Sequence, residues 1–561
     1  MIGGGDENQE ISLSKRREVL SGASGLKALI RNKKVFAIAV FASLGGFIYG
    51  YNQGMFGQIL NMYSFGVAVH PNTIKNDTAR GLLTAILELG AWVGALCNGV
   101  LADGLGRKLS VVLAVFVFCI GVIVQACATG PDYILGGRFV TGMGVGSLSM
   151  LVPLYNAELA PPEIRGGLVV LQQLAITFGI MVSYWIGYGT NFIGGTGATQ
   201  SKAAWLVPIC IQLLPAIVLG IGILFMPQSP RWLMNQEREQ DCLNTIARLR
   251  DLPTSNELVT IEYLEIKAQH MFEIETSREL YPQHQGPGWK NKFQLGVHAY
   301  SSLFTNRSTR KRSFIAIMVM LFQQWTGINA ILYYAPFIFQ DLGLNGSTNS
   351  LLASGVGGIL MFLATIPAVL WIDSFGRRPL LIIGAIGMAI SHFVVAGILG
   401  QFENDFANHP AAGWVAVVFV WLFVLHFGYS WGGGAWVVVS EVFSLGVRSK
   451  GVSIGASSNW LNNFIVGIAT PTMLTQMKFG TYIFFGMFCV GGALFMYFVV
   501  PETRGRTLEE MDEIFKDESG MGRRDKERLQ RIWGELGLLG ESIPDLSIAK
   551  GDAIQIEEIK Q

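Results

Sequence analysis

The stretch DGLGRK (103–108) recurs 270 residues later as DSFGRR (373–378). Each copy separates two apolar runs, 81–102 from 109–129 and 351–372 from 380–400. Two other features return at similar offsets. Glu158 with Arg165 recurs as Glu441 with Arg448, and PQSPR (227–231) recurs as PETRG (501–505). Repeats of this length mean that half of the chain has been duplicated. The copies carry the same charges at the same position, so the two halves share one orientation. A parallel repeat of that kind brackets a central site at the interface of the halves.

Composition says what surrounds them. Of 561 residues, 51% are hydrophobic and only 14% charged, mean hydropathy is +0.42, and Gly (68) and Phe (35) abound. Soluble domains carry about a quarter charged residues, so the chain reads as a polytopic membrane protein. Twelve apolar runs are long enough to cross a bilayer: 35–57, 81–102, 109–129, 134–156, 168–189, 204–226, 313–339, 351–372, 380–400, 413–439, 453–475 and 482–500. The expected architecture is all-α, with twelve transmembrane helices in two parallel six-helix halves. The expected segments are 1–34, an N-terminal half 35–226, a loop 227–312 with short helices, a C-terminal half 313–500, and a tail 501–561 that is charged and mobile from about Lys516.

Basic residues set the orientation. Lys15, Arg16, Arg17, Lys33 and Lys34 precede the first run, and alternate short loops hold Arg107, Lys108, Arg165, Arg377, Arg378, Arg448 and Lys450. Both termini and the central loop are therefore expected in the cytoplasm, with no cleavable signal at the start. The sequons at Asn76 and Asn345 then fall outside and the one at Asn306 inside. Six cysteines show no paired or metal-ligand spacing, and neither a nucleotide loop nor a nucleophile with a base partner is present. An enzyme, a cofactor and nucleic acid as a partner are all disfavoured.

One run stands out chemically. QQWTGINAILYY (323–334) places two glutamines, an asparagine and two tyrosines in a span without Lys, Arg, Asp or Glu. Asn329 and Tyr333 lie four apart and share a helix face, and Gln323 and Tyr334, about three turns apart, share the adjacent one. A carboxamide both donates and accepts, as does every hydroxyl of a sugar, and a tyrosine ring can lie along the C–H side of a pyranose. The same amides could instead bond neighbouring helices. Elsewhere in the runs, Glu88 is a carboxylate where hydrocarbon is expected, which marks it as a functional candidate or a buried structural partner.

Together these features resemble the sugar porter family of the major facilitator superfamily, in a form most like its fungal monosaccharide transporters. The resemblance rests on GVLADGLGRK (99–108), GRFVTGMGVG (137–146), ELAPPEIRG (158–166), PQSPRWL (227–233), QQWTGINAILYY (323–334), DSFGRRP (373–379), EVFSLGVRSKG (441–451) and PETRGRTLEEM (501–511). It implies sugar contacts at Gln173, Gln323, Gln324, Asn329, Trp436, Asn459, Trp460 and Asn463, with Tyr333 and Tyr334 closing the outer side. It also implies a cytoplasmic gate of Asp103, Arg107, Arg138, Glu158, Arg165, Asp373, Arg377, Glu441 and Arg448, whose charges bridge the halves when that side is shut. Proton-coupled members resembling this chain carry Asp in the first span; here GYNQG (50–54) has Asn52, which cannot titrate. Met361 and Gly428 stand where the family often has Asn and Glu, while His426 lies nearby, able to bond a carbonyl, contact a sugar acid or relay protons.

Three functions remain open at this point: a monosaccharide facilitator or proton symporter working by alternating access; a proton-coupled carrier of a uronate, quinate or polyol through Glu88 or His426; and a sugar sensor. The expected partners are the sugar, a proton and the bilayer, with the chain acting as a monomer in the plasma membrane.

Overall fold

A computed structural model of the chain describes residues 32–161, 164–280, 289–344, 347–402, 405–443, 447–504, 514–515 and 521–538. No strand occurs among the described residues, as an apolar environment demands of open backbone. Twelve helical spans run, in order, over Lys33–Leu60, Asp77–Leu105, Arg107–Ala126, Pro131–Leu159, Arg165–Thr190, Ala203–Phe225, Arg307–Asp341, Ser347–Phe375, Arg377–Phe402, Pro410–Glu441, Arg448–Gln476 and Phe479–Phe498. Ten contain stretches long and apolar enough to cross a membrane. The eleventh falls short because Ser457, Ser458, Asn459, Asn462 and Asn463 crowd one part of it.

Each half packs around glycine-lined crossings. A Cβ added at Gly142 of the fourth span would come within 2.1 Å of the Leu87 carbonyl oxygen of the second, so only glycine allows that approach. The halves meet where the second span packs on the eleventh and the fifth on the eighth. Between the first and seventh spans, a Cβ at Gly57 would lie 2.3 Å from the Tyr333 carbonyl oxygen.

The DGLGRK and DSFGRR turns lie on one face of the bundle, here called the basic face. Four shorter helices follow the sixth span on that side, Pro230–Asn235, Glu239–Arg250, Glu257–Leu280 and Trp289–Thr305. The tail contradicts the expectation of mobility over part of its length. Its helix Met521–Glu535 docks on the loop, burying Ile532 and Leu538 against Val259, Tyr263 and Phe272. Arg528 bonds Glu279 and Thr276, and Arg531 bonds Glu275. The apolar positions Leu529, Ile532, Trp533 and Leu536 recur at helical spacing, which explains the docking.

Candidate transport site

The seventh span is broken. Gly327 takes φ +89°, a value that glycine tolerates, and divides the span into Arg307–Trp325 and Ile328–Asp341. The break frees the Thr326 carbonyl, which is met at 2.9 Å by Nε2 of buried His392 from the ninth span. Sequence reasoning missed His392, whose only signal was an imidazole in an apolar run. The tenth span breaks likewise at Ser430, exposing the Trp431 carbonyl to Gln323.

These breaks orient the amides. Gln323 Nε2 donates to the Trp431 carbonyl at 2.7 Å, and its Oε1 accepts from Asn459 Nδ2 at 2.7 Å, tying the seventh span to the tenth and eleventh. Asn329 Nδ2 donates to Gln324 Oε1 at 2.5 Å. The Gln324 amino group and the Asn329 oxygen make no bond to protein among the described residues, and neither atom is sealed from solvent. Across the interface, the Gln173 amide lies 3.6 Å from where a Cβ on Gly432 would stand. Trp436 is partly buried in the C-terminal half, and Trp460 packs its ring 5.3 Å from Tyr49 of the first span. Among the described residues no ionised side chain bonds these amides.

A second cluster joins the halves further toward the face opposite the basic one. Fully buried Glu88 receives the Tyr333 hydroxyl on Oε1 at 2.6 Å and Asn463 Nδ2 on Oε2 at 3.0 Å. Tyr333 Oη is also 3.0 Å from Asn463 Oδ1 and accepts from Gln53 Nε2 at 3.4 Å. Gln53 donates as well to Tyr49 at 3.0 Å. Neither Tyr49 nor Gln53 was anticipated. Tyr334 bonds the Gly467 carbonyl at 2.8 Å and Tyr184 the Leu332 carbonyl at 2.6 Å. At the rim, Gln340 bonds Asn61 at 2.9 Å and Thr475 bonds Asp77 at 2.5 Å, again across the halves. This side of the molecule is closed.

Several expected site residues stand elsewhere. Asn52 donates to the Ile48 carbonyl at 3.0 Å and has no part in the Glu88 cluster. His426 bonds Tyr429 at 2.7 Å and lies against Gly387 of the ninth span, away from the amides. Arg138 does not belong to the gate. The fourth span enters from the opposite face, so Arg138 is twenty residues, or about 30 Å of helix, from Glu158. It is buried, donates to the Thr84 carbonyl at 2.9 Å and covers the Phe56 ring at 3.6 Å.

The remaining gate charges pair within each half rather than across them. Arg107 grips Glu158 with Nε and Nη2 at 2.9 and 2.7 Å, and Nη1 meets exposed Asp103 at 3.2 Å. Arg377 repeats the grip on Glu441 at 3.2 and 2.9 Å. Glu441 also accepts from Thr503, while Glu502 accepts from the Arg377 and Arg378 amides and so caps the ninth span. Arg448 Nε makes no hydrogen bond among the described residues. The side chains of Arg165 and Asp373 and the sequon residue Asn345 lie outside the described residues.

Comparison with known proteins agrees with this geometry. The family model for sugar (and other) transporters matches residues 38–515. The chain belongs to the sugar transporter family. A probable quinate permease of Aspergillus niger is 32% identical over 94% of this chain and 96% of its own length. A high-affinity glucose transporter of Kluyveromyces lactis is 32% identical over 86% and 85%. Among solved structures, the xylose transporter XylE of E. coli in a partially occluded inward-open conformation matches with TM-score 0.68 and 28% identity, over 85% of this chain and 100% of that one. The proton:xylose symporter XylE bound to 6-bromo-6-deoxy-D-glucose matches at TM-score 0.68 and 29% identity, covering 86% and 99%. The fold is the twelve-helix major facilitator fold, and the protein is an integral membrane transporter of the sugar porter type, not an enzyme.

Proposed function

We propose that this transporter carries a neutral monosaccharide, coupled to a proton, by rocking its halves 35–226 and 313–500 about the amide cluster. The observation that carries the substrate class is the set Gln173, Gln324 and Asn329, which keeps side-chain donors and acceptors spare and bonds no cation among the described residues. A hydroxyl-rich solute exchanges its water for such groups at little net cost, whereas a carboxylate would demand a positive partner. Gln323, Asn459, Asn463, Trp436 and Trp460 complete the wall, and Tyr333 and Tyr334 close it on the outer side. The basic face is the cytoplasmic one, with both chain ends there, in the plasma membrane, and one chain suffices for function.

Glu88 is the proton site. In the closed arrangement, Tyr333 Oη and Asn463 Oδ1 stand 3.0 Å apart, and Oη has a single proton to give. If that proton goes to the carboxylate, the Oη–Oδ1 contact has none. If Glu88 is protonated, it donates to Tyr333, Tyr333 donates to Asn463, and Asn463 returns its amide to Glu88, so every group is paired. The facing charged and titratable groups are Arg138, which is no ion-pair partner of Glu88, Tyr49 and Tyr333. Closing the outer side buries the carboxyl entirely and brings Tyr333 and Asn463 onto it, the arrangement in which only the protonated form pairs every group. Closure therefore favours the protonated carrier, which couples sugar entry to proton entry. Asn52 cannot take that role.

The test is accumulation in liposomes containing the purified protein, with labelled glucose, xylose, galacturonate and quinate, with and without an inward pH gradient. Uphill accumulation of a neutral sugar only under the gradient is expected. Gradient-driven quinate uptake without sugar uptake would replace this reading with that of an acid permease.

A further inference from the structure

The C-terminal half carries a recess lined by none of the residues of the transport site described above. It has a volume of about 670 Å³ and lies at the basic face where the seventh span begins and the twelfth ends, beside the start of the ninth. Arg310, Lys311 and Arg378 line it together with Phe314, Phe498 and Phe515, and among the described residues its lining contains no Asp or Glu. Arg378 is held in place by carbonyls: Nε meets that of Met496 at 3.1 Å and Nη2 that of Tyr497. Arg310 and Lys311 are exposed and have no acidic partner among the described residues. Directly above them, Phe314 and Phe498 are 52% and 75% exposed on spans that face hydrocarbon. The recess thus joins two unneutralised cations to an apolar wall.

The internal repeat shows that this opening is particular to one half. In the first half, Lys108 occupies the place of Arg378 and likewise bonds a carbonyl of its own half's last span, that of Leu224, at 2.8 Å. There the helix Glu239–Arg250 packs over the first span and Asp251 accepts from Lys34 at 2.5 Å. Protein supplies both the cover and the negative charge. Among the described residues, the corresponding corner of the second half receives Pro501, Ile514 and Phe515 from the tail, and none of these brings charge.

We propose that this recess binds an anionic glycerophospholipid of the leaflet at the basic face. Its phosphate would sit between the Arg310 guanidinium and the Lys311 ammonium, with an acyl chain along Phe314 and Phe498. Basic pockets at the membrane boundary of that leaflet are matched to such headgroups. A free phosphate offers the same oxygens but nothing to the apolar wall, so the lipid is the preferred occupant.

The test uses the full-length protein, delipidated in detergent, with native mass spectrometry to count bound dioctanoyl phosphatidylinositol, dioctanoyl phosphatidylcholine or inorganic phosphate. Phosphatidylinositol should be retained well above phosphatidylcholine. R310Q and K311Q should each weaken retention roughly 5-fold and the double variant roughly 25-fold. K311R should keep it. Neither side chain makes a bond to protein among the described residues, so melting temperature should not change in any of these variants. Equal retention of both lipids, or equal retention by the wild type and the double variant, would overturn the proposal. Binding of inorganic phosphate with the same dependence on Arg310 and Lys311 would replace the lipid by a soluble anion.

Discussion

Replacing Tyr333 with Phe tests the link between the halves most directly. The ring and its volume stay, and only the hydroxyl is lost. That hydroxyl touches Glu88 at 2.6 Å, Asn463 at 3.0 Å and Gln53 at 3.4 Å, and the first and last of these belong to the other half. Leaving a buried partner unpaired costs about 1–3 kcal/mol. The cost falls only on the state in which the outer side is closed, because opening separates the seventh span from the second. At about 1.4 kcal/mol per decade, the balance should move toward the outward-open state by roughly 5- to 140-fold. The rim offers a reporter: cysteines at Asn61→Cys and Gln340→Cys, whose native side chains bond at 2.9 Å, should cross-link fast in the parent and slowly with Tyr333→Phe. Unchanged cross-linking would refute the reasoning. So would a lower melting temperature at an unchanged rate, since that would make the hydroxyl a brace within one half.

Glu88→Gln should abolish accumulation driven by a pH gradient and spare exchange of labelled for unlabelled sugar, because an amide can still close the ring of bonds with Tyr333 and Asn463; intact accumulation would remove Glu88 from coupling. Gln324→Leu should weaken sugar binding about tenfold and lower the melting temperature less than Gln323→Leu, since it orphans only the Asn329 amino group, whereas Gln323→Leu orphans both the Trp431 carbonyl and Asn459. Glu158→Ala leaves Arg107 buried without its carboxylate and should destabilise the fold by about 3–5 kcal/mol, whereas Asp103→Ala, at a side chain 74% exposed, should cost about 0–1 kcal/mol; denaturation in detergent separates the two.

The spans and their duplication were legible because apolar length and repeated charge are one-dimensional signals. The Arg107–Glu158 and Arg377–Glu441 pairs were legible as members of one network, since both motifs end helices on the same face. That they act within halves was not, because helix ends on one face can meet several neighbours and the sequence does not rank them. Arg138 was misassigned for a related reason: its motif gave the residue type, while the direction of the fourth span decides which end it occupies. The Glu88–Tyr333–Asn463 cluster needs three helices from two halves, and only Glu88 announced itself as a charge in an apolar run. His392 was hidden because its partner is a carbonyl that exists only once Gly327 breaks the helix. The docked part of the tail was readable in the spacing of Leu529, Ile532, Trp533 and Leu536, but the density of charge around them masked it.

The close approaches at Gly142 and Gly57 carry different meanings for the history of the sequence. The first lies inside one half, where the second and fourth spans stay together throughout the cycle, so a side chain there is penalised in every state and the lesion is one of folding. The second lies between halves that must part, so a methyl group at Gly57 is penalised only while Tyr333 is near. The same chemical change therefore produces a missing protein at one site and a well-made protein locked in one posture at the other. Drift in this chain is accordingly filtered by two separate sieves, one set by assembly and one by motion, and glycines of the second kind are where a carrier could be retuned without first being unmade.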